Sequence, residues 1–129
     1  MIVVDSSVWI ANLRGLDTPQ VRKLEAIENV REIVIGDIVL LEVLRGARDE
    51  RHATRLERNM RRFRIEQMLD QDVAVRAARH YRLLRERGIT VRKTVDLIIA
   101  TYCLDRGYSL LHADRDFDTL VAHLGLQIA

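Results

Sequence analysis

Apolar positions along the chain fall into short solid runs and longer periodic stretches, and the two kinds alternate. Ile2-Val3-Val4 is too short for a helix and predicts a buried first strand. Ser6–Leu13 predicts a helix, with Val8, Trp9, Ala11 and Leu13 as packing positions. Thr18-Pro19 is a typical helix start, an N-cap followed by proline at the first helical position, and Val21, Leu24 and Ile27 form that helix's apolar stripe. Ile33-Val34-Ile35 predicts a second strand ended by Gly36, after which Asp37 can cap a helix that carries Ile38–Leu44 and stops at Gly46. From Asp49 to about Phe63 the pattern is a basic amphipathic helix, with Leu56, Met60 and Phe63 on one side and Arg51, Arg55, Arg58 and Arg62 on another. Asp72–Arg87 predicts a further helix, with Val73, Ala77, Tyr81 and Leu84 inward and Gly88 as its stop. Thr94–Arg106 is strongly apolar and ends at Gly107. Ser109-Leu110-Leu111 then predicts a strand, Phe117–Leu124 a helix, and Leu126-Gln127-Ile128 a last short strand. This alternation is that of an α/β fold built on a parallel sheet.

Composition narrows the class. A chain of 129 residues, 48% hydrophobic and 31% charged, predicts one soluble globular domain over residues 1–129 with a sizeable core. No apolar run approaches the roughly 18 residues that span a bilayer, and Met1-Ile2-Val3-Val4-Asp5 lacks the features of a signal peptide. The expected location is the cytoplasm. Cys103 is the single cysteine, which excludes an internal disulfide framework and a cysteine-rich zinc site. The formal net charge is only +2, but 19 of the 21 basic residues are arginines; Lys23 and Lys93 are the exceptions. Arginine's rigid fork of donors suits phosphate and carboxylate, which points to nucleic acid or an acidic protein partner; GC-rich coding would produce the same excess.

The informative residues are acids in awkward places. Asp5 ends the first strand just before a helix, a position that suits either an N-cap or a ligand at a strand's carboxyl end. Glu42 lies in Ile38-Val39-Leu40-Leu41-Glu42-Val43-Leu44, apolar almost all round, where an unpaired carboxylate is costly. Arg45, three residues on, is its available local partner. Asp96 opens another apolar helix, where the helix dipole alone favours an acid. Asp114 and Asp116 follow the strand at Ser109–Leu111; Asp116 can cap the last helix, so capping accounts for one of the pair and need not account for both. Acids converging at one sheet edge repel unless neutralised, and the simplest neutraliser is a hard divalent cation such as Mg²⁺ or Mn²⁺. Beside an arginine-rich surface, that chemistry is metal-assisted phosphodiester hydrolysis. His52, His80, His112 and His123 lack close metal-ligand spacing, Cys103 reads as a packing residue, and no phosphate-binding glycine loop is present.

The order of these motifs resembles the PIN-domain ribonucleases, and within them the VapC toxins of bacterial toxin–antitoxin pairs. The residues that carry the resemblance are Ile2-Val3-Val4-Asp5-Ser6-Ser7-Val8-Trp9-Ile10, Glu42-Val43-Leu44-Arg45-Gly46, Asp96-Leu97-Ile98-Ile99-Ala100 and Leu110-Leu111-His112-Ala113-Asp114-Arg115-Asp116-Phe117. The resemblance implies a three-layer α/β/α sandwich with a parallel sheet of about five strands. It implies a catalytic set of Asp5, Glu42, Asp96 and Asp114, with Asp5, Asp96 and Asp114 as ligands to Mg²⁺ or Mn²⁺ and Ser7 and Asp116 supporting. It also implies endoribonuclease action, often on tRNA or ribosomal RNA, inhibition of translation, a homodimer, and a VapB-type antitoxin that blocks the acidic site. Glu42 would hold the attacking water or take its proton. The stripe of Arg51, Arg55, Arg58 and Arg62 is placed either to bind RNA phosphates or simply to face solvent. The same helical region could present Leu56, Met60 and Phe63 to an antitoxin helix. The alternative function is a catalytically silent PIN-like module that binds RNA or a protein partner.

Overall fold

The computed structural model describes all of residues 1–129. Four strands, β1 (Ile2–Val4), β2 (Ile33–Gly36), β3 (Arg64–Glu66) and β4 (Ser109–Leu111), form one parallel sheet in the order β3-β2-β1-β4. Seven helices surround it: α1 (Ser6–Leu13), α2 (Pro19–Glu25), α3 (Asp37–Leu44), α4 (Glu50–Met60), α5 (Gln71–Glu86), α6 (Thr94–Arg106) and α7 (Asp118–Leu124). The two inner strands, β1 and β2, are apolar because both sheet faces are covered: Val3, Val4, Val34 and Ile35 are wholly buried. The chain steps from β1 to β2 to β3 in one direction and then returns to place β4 on the far side of β1. Right-handed crossovers put α1–α4 on one face and α5 and α6 on the other. The packing agrees, since α1 meets α2 and α3, α3 meets α4, and α5 meets α6. The reversal between β1 and β4 is the sheet's topological switch point, where a crevice opens beyond the strands' carboxyl ends.

Several elements depart from the pattern-based expectations. The sheet has four strands rather than about five. The segment expected as a last strand makes one parallel bridge, Leu110 to Ile128, with the Leu110 N–H donating to the Gln127 carbonyl at 2.9 Å. β3 lies just past the expected amphipathic helix, where no strand was predicted. α4 ends at Met60, and the turn through Arg61–Phe63 delivers Arg64–Glu66 to the sheet edge. α3 is not buried all round: Val39 and Val43 are buried, but Leu41 is 60% exposed. Gly36, not Asp37, occupies its N-cap. Asp37 instead accepts the Ile38 and Met68 N–H groups at 2.9 and 3.1 Å, tying β3's exit to α3. α5 is capped by Asp70 and runs Gln71–Glu86, one residue earlier at each end than the expected Asp72–Arg87. Leu13 is exposed, and Ile27 and Tyr81 are only partly buried. Gly36 is required for space, because a Cβ there would collide with the buried Met68 side chain.

Candidate metal centre

Asp5 leaves β1 at the switch point. Its backbone N–H continues the β1–β4 pairing by donating to the Leu111 carbonyl at 2.9 Å. Its side chain caps α1, accepting the Ser7 N–H at 3.0 Å and the Ser7 hydroxyl at 2.6 Å. Ser7 Oγ in turn accepts the Ala113 N–H at 3.1 Å. One hydroxyl therefore links the end of β1 to the loop after β4. Both openings for Asp5 are realised together: it is an N-cap, and it is a buried carboxylate at a strand's carboxyl end.

Asp96 enters from the first turn of α6, and Asp114 and Asp116 from the loop and 3₁₀ turn after β4. Each of the three offers an oxygen within 4.8 Å of the other two. Asp116 does not cap the last helix, whose N-cap is Phe117; Asp114 instead caps the 3₁₀ turn before it, accepting the Asp116 N–H at 2.9 Å, which leaves the Asp116 carboxylate for the cluster. Asp96 Oδ2 is buried with no hydrogen-bond partner. Burial, together with the charges of Asp5, Asp114 and Asp116, pushes the Asp96 carboxyl up to about 7 in spite of Lys93. Lys93, which stands at the N-cap of α6, places its Nζ 2.5 Å from Asp114 Oδ2, 3.4 Å from Asp116 Oδ2 and 3.8 Å from Asp96 Oδ2. Its hydrogen bond to Asp114 and the surrounding carboxylates hold the ammonium well above its ordinary range. Burial works to raise the Asp114 carboxyl, but that same hydrogen bond and the Asp116 N–H outweigh it and hold the group low.

Glu42 projects from α3 at the edge of this group. It accepts the Ser6 hydroxyl at 3.2 Å, and Arg45 lies 3.9 Å away, a loose pair because the Arg45 side chain is 70% exposed. Partial burial first, and the Asp5 charge second, raise the Glu42 carboxyl above its usual value. Asp5 thus raises both Glu42 and Asp96, and Lys93 opposes it at both, although the close oxygen triad consists of Asp96, Asp114 and Asp116.

A hard divalent cation fits this donor set. All three groups offer carboxylate oxygen, one oxygen is buried without a partner, and like charges crowd together. A cleft of about 420 Å³ opens beside it, lined by Thr90, Val91, Arg92, Asp96, Arg115 and Asp116 among others. Sequence reasoning singles out neither Arg92 and Arg115 nor Lys93. The signal available for Lys93 is its place three residues before Asp96 as one of two lysines. Arg51, Arg55 and Arg58 are exposed on α4, and Arg62 is exposed in the turn that follows it. Leu56 and Met60 are buried, so of the apolar side of α4 only Leu56 reaches a groove, together with Ile10, Leu13, Arg14, Val43, Gly46, Arg48 and His52. Phe63 packs on Trp9, ring centres 5.0 Å apart. Cys103 is buried and its thiol is pushed up to about 12 by burial, then by Asp5, so it is inert.

Comparison with known proteins agrees with this geometry. The PIN domain family model matches residues 2–122. Ribonuclease VapC11 of Mycobacterium tuberculosis is 33% identical over 135 residues, covering 100% of this chain and 98% of that protein. Among solved structures, VapBC-1 from nontypeable Haemophilus influenzae superposes with a TM-score of 0.76 at 17% identity, covering 100% of this chain and 97% of that one. A toxin–antitoxin complex from Klebsiella pneumoniae gives a TM-score of 0.69 at 23% identity, covering 91% and 90%.

Proposed function

Since the chain belongs to the PIN-domain family, we propose that it is an endoribonuclease of the VapC kind, the toxin of a toxin–antitoxin pair that inhibits translation. The observation that carries the chemistry is the convergence of Asp96, Asp114 and Asp116 around a buried, unpartnered carboxylate oxygen at the sheet's switch point. In this reading Asp5, Asp96 and Asp114 hold Mg²⁺ or Mn²⁺, and Ser7 and Asp116 support them. A divalent ion held there supplies Lewis acidity, polarising a phosphoryl oxygen and acidifying water.

The chain's own residues do the rest. Ser7 fixes the Asp5 carboxylate and couples it to the loop that carries Asp114. Glu42, with its carboxyl raised above its usual value by partial burial and the Asp5 charge, orients the attacking water and takes its proton. Ser6 and Arg45 keep the Glu42 side chain turned to the site. Arg92 and Arg115 line the adjoining cleft and bind backbone phosphates near the bond to be cut. The stripe of Arg51, Arg55, Arg58 and Arg62 makes further, salt-sensitive phosphate contacts along α4 and the turn after it.

The partner in this reading is a VapB-type antitoxin. The groove between α1, α3 and α4, about 450 Å³ with Ile10, Val43 and Leu56 as its apolar lining and Arg14 and Arg48 as its cations, is where an amphipathic antitoxin segment docks. A homodimer belongs to the same reading and is tested by sedimentation equilibrium.

The deciding experiment incubates total cellular RNA with the antitoxin-free protein and Mn²⁺, beside an Asp5→Asn preparation and an EDTA control. Discrete fragments from the native protein alone establish a selective metal-dependent ribonuclease and map its target. Silence from both folded proteins favours the RNA- or protein-binding module instead.

A further inference from the structure

We propose that Lys93 is a built-in competitor for the divalent cation: its ammonium occupies the carboxylate pocket of the metal-free protein and must leave before a metal can enter. The inference rests on the assignment of Asp96, Asp114 and Asp116 to the metal centre. Nζ lies 2.5, 3.4 and 3.8 Å from Asp114, Asp116 and Asp96, and in each case the oxygen approached is Oδ2. These are the same three residues whose oxygens gather closely enough to hold one ion. A cation among them and an ammonium among them are alternatives, because both need the same lone pairs.

The fit of the lysine is incomplete in an informative way. It bonds Asp114 well, but at 3.8 Å it is too far from Asp96 for a hydrogen bond, and Asp96 Oδ2 stays buried and unpartnered. The ammonium therefore lowers repulsion without satisfying the deepest ligand, a task left to an ion of higher charge. Nor is the lysine locked in place. Its side chain is 50% exposed, on a flexible four-carbon stem just ahead of α6. It can swing into water when displaced. Lys93 thus keeps the carboxylates assembled before metal arrives, and it sets the metal concentration at which the site fills.

The test measures Mn²⁺ binding by calorimetry on the antitoxin-free protein, native, Lys93→Met and Lys93→Arg. Removing a partly exposed ion pair that competes with the metal should tighten Mn²⁺ binding about tenfold in Lys93→Met. Lys93→Arg, which keeps the charge, should stay near native. The metal-free melting temperature of Lys93→Met should fall while its Mn²⁺-induced rise grows. An affinity unchanged within about twofold, or weakened, overturns the inference even if stability drops, since a purely structural lysine predicts that pattern. Binding to neither native nor Lys93→Met protein overturns the metal centre itself, and the inference with it. A second measurement needs no variant. With two lysines in the chain, ¹⁵N-lysine labelling gives two side-chain signals. Saturating Mg²⁺ should move the Lys93 signal to a solvent-exposed value and leave that of Lys23 in place; an unmoved Lys93 signal in protein that binds Mg²⁺ overturns the proposal.

Discussion

Asp96 concentrates the electrostatic stress of the site, because burial and three neighbouring acids act on it in the same direction. Its folded value of about 7 exceeds the ordinary 3.8, so the metal-free fold takes up a proton that the unfolded chain gives away. The stability this contributes is complete below about pH 3.8 and is lost as pH rises through about 7. Asp96→Asn should therefore raise the metal-free melting temperature at pH 8 by about 4–8 °C, or about 1–2 kcal/mol, and flatten its pH dependence. It should also abolish the Mn²⁺-induced stabilisation; thermal scans from pH 4 to 8 with and without Mn²⁺ check both. The acids are legible in the sequence because a carboxylate among apolar residues is an anomaly that demands a partner. Lys93 is not, since its partners Asp114 and Asp116 come within reach only when β4 places the following loop against the start of α6.

Helices announce themselves through periodicity and caps, and the inner strands through solid apolar runs. β3 escapes because an edge strand has little to bury: Arg64 and Glu66 flank Ile65, and an amphipathic stretch precedes them. Its attachment relies on close fit at Gly36, where Met68 fills the space a side chain would take. Gly36→Ala should cost about 1–3 kcal/mol by overpacking. In a Met68→Ala background the same substitution should cost well under about 1 kcal/mol, and urea denaturation of the four proteins of that cycle measures the coupling. The charge pattern of α4 matches the expectation, whereas its length falls short of it. Arg51, Arg55 and Arg58 on it and Arg62 in the turn after it lie in the open and make no ion pair. Replacing Arg51, Arg55, Arg58 and Arg62 by glutamine should therefore change the melting temperature little. It should reduce the salt dependence of RNA binding, the slope falling by up to about 0.7 for each phosphate that an arginine no longer neutralises. An unchanged slope would assign the stripe to solvent.

At the scale of the whole molecule, the centre exists only where β1 and β4 lie side by side. Their pairing of Ile2 with Ser109 spans nearly the full chain, and Ser7 then ties the two strand ends together. A loop so long closes late, because its entropy is lost before its contacts form. Adding Mn²⁺ to the native protein should raise its melting temperature in a concentration-dependent way, reversed by EDTA, because the bound ion is linked to this global closure. A polypeptide ended at Leu111 retains Asp5, Glu42 and Asp96 but has neither Asp114 nor Asp116. Such a fragment should show no Mn²⁺ binding by calorimetry. The same arrangement makes assembly of the donor set a reporter of completed folding: Asp5 and Asp114 stand more than about a hundred residues apart and meet only once β1 and β4 have paired, so a partly folded copy carries the acids without the centre.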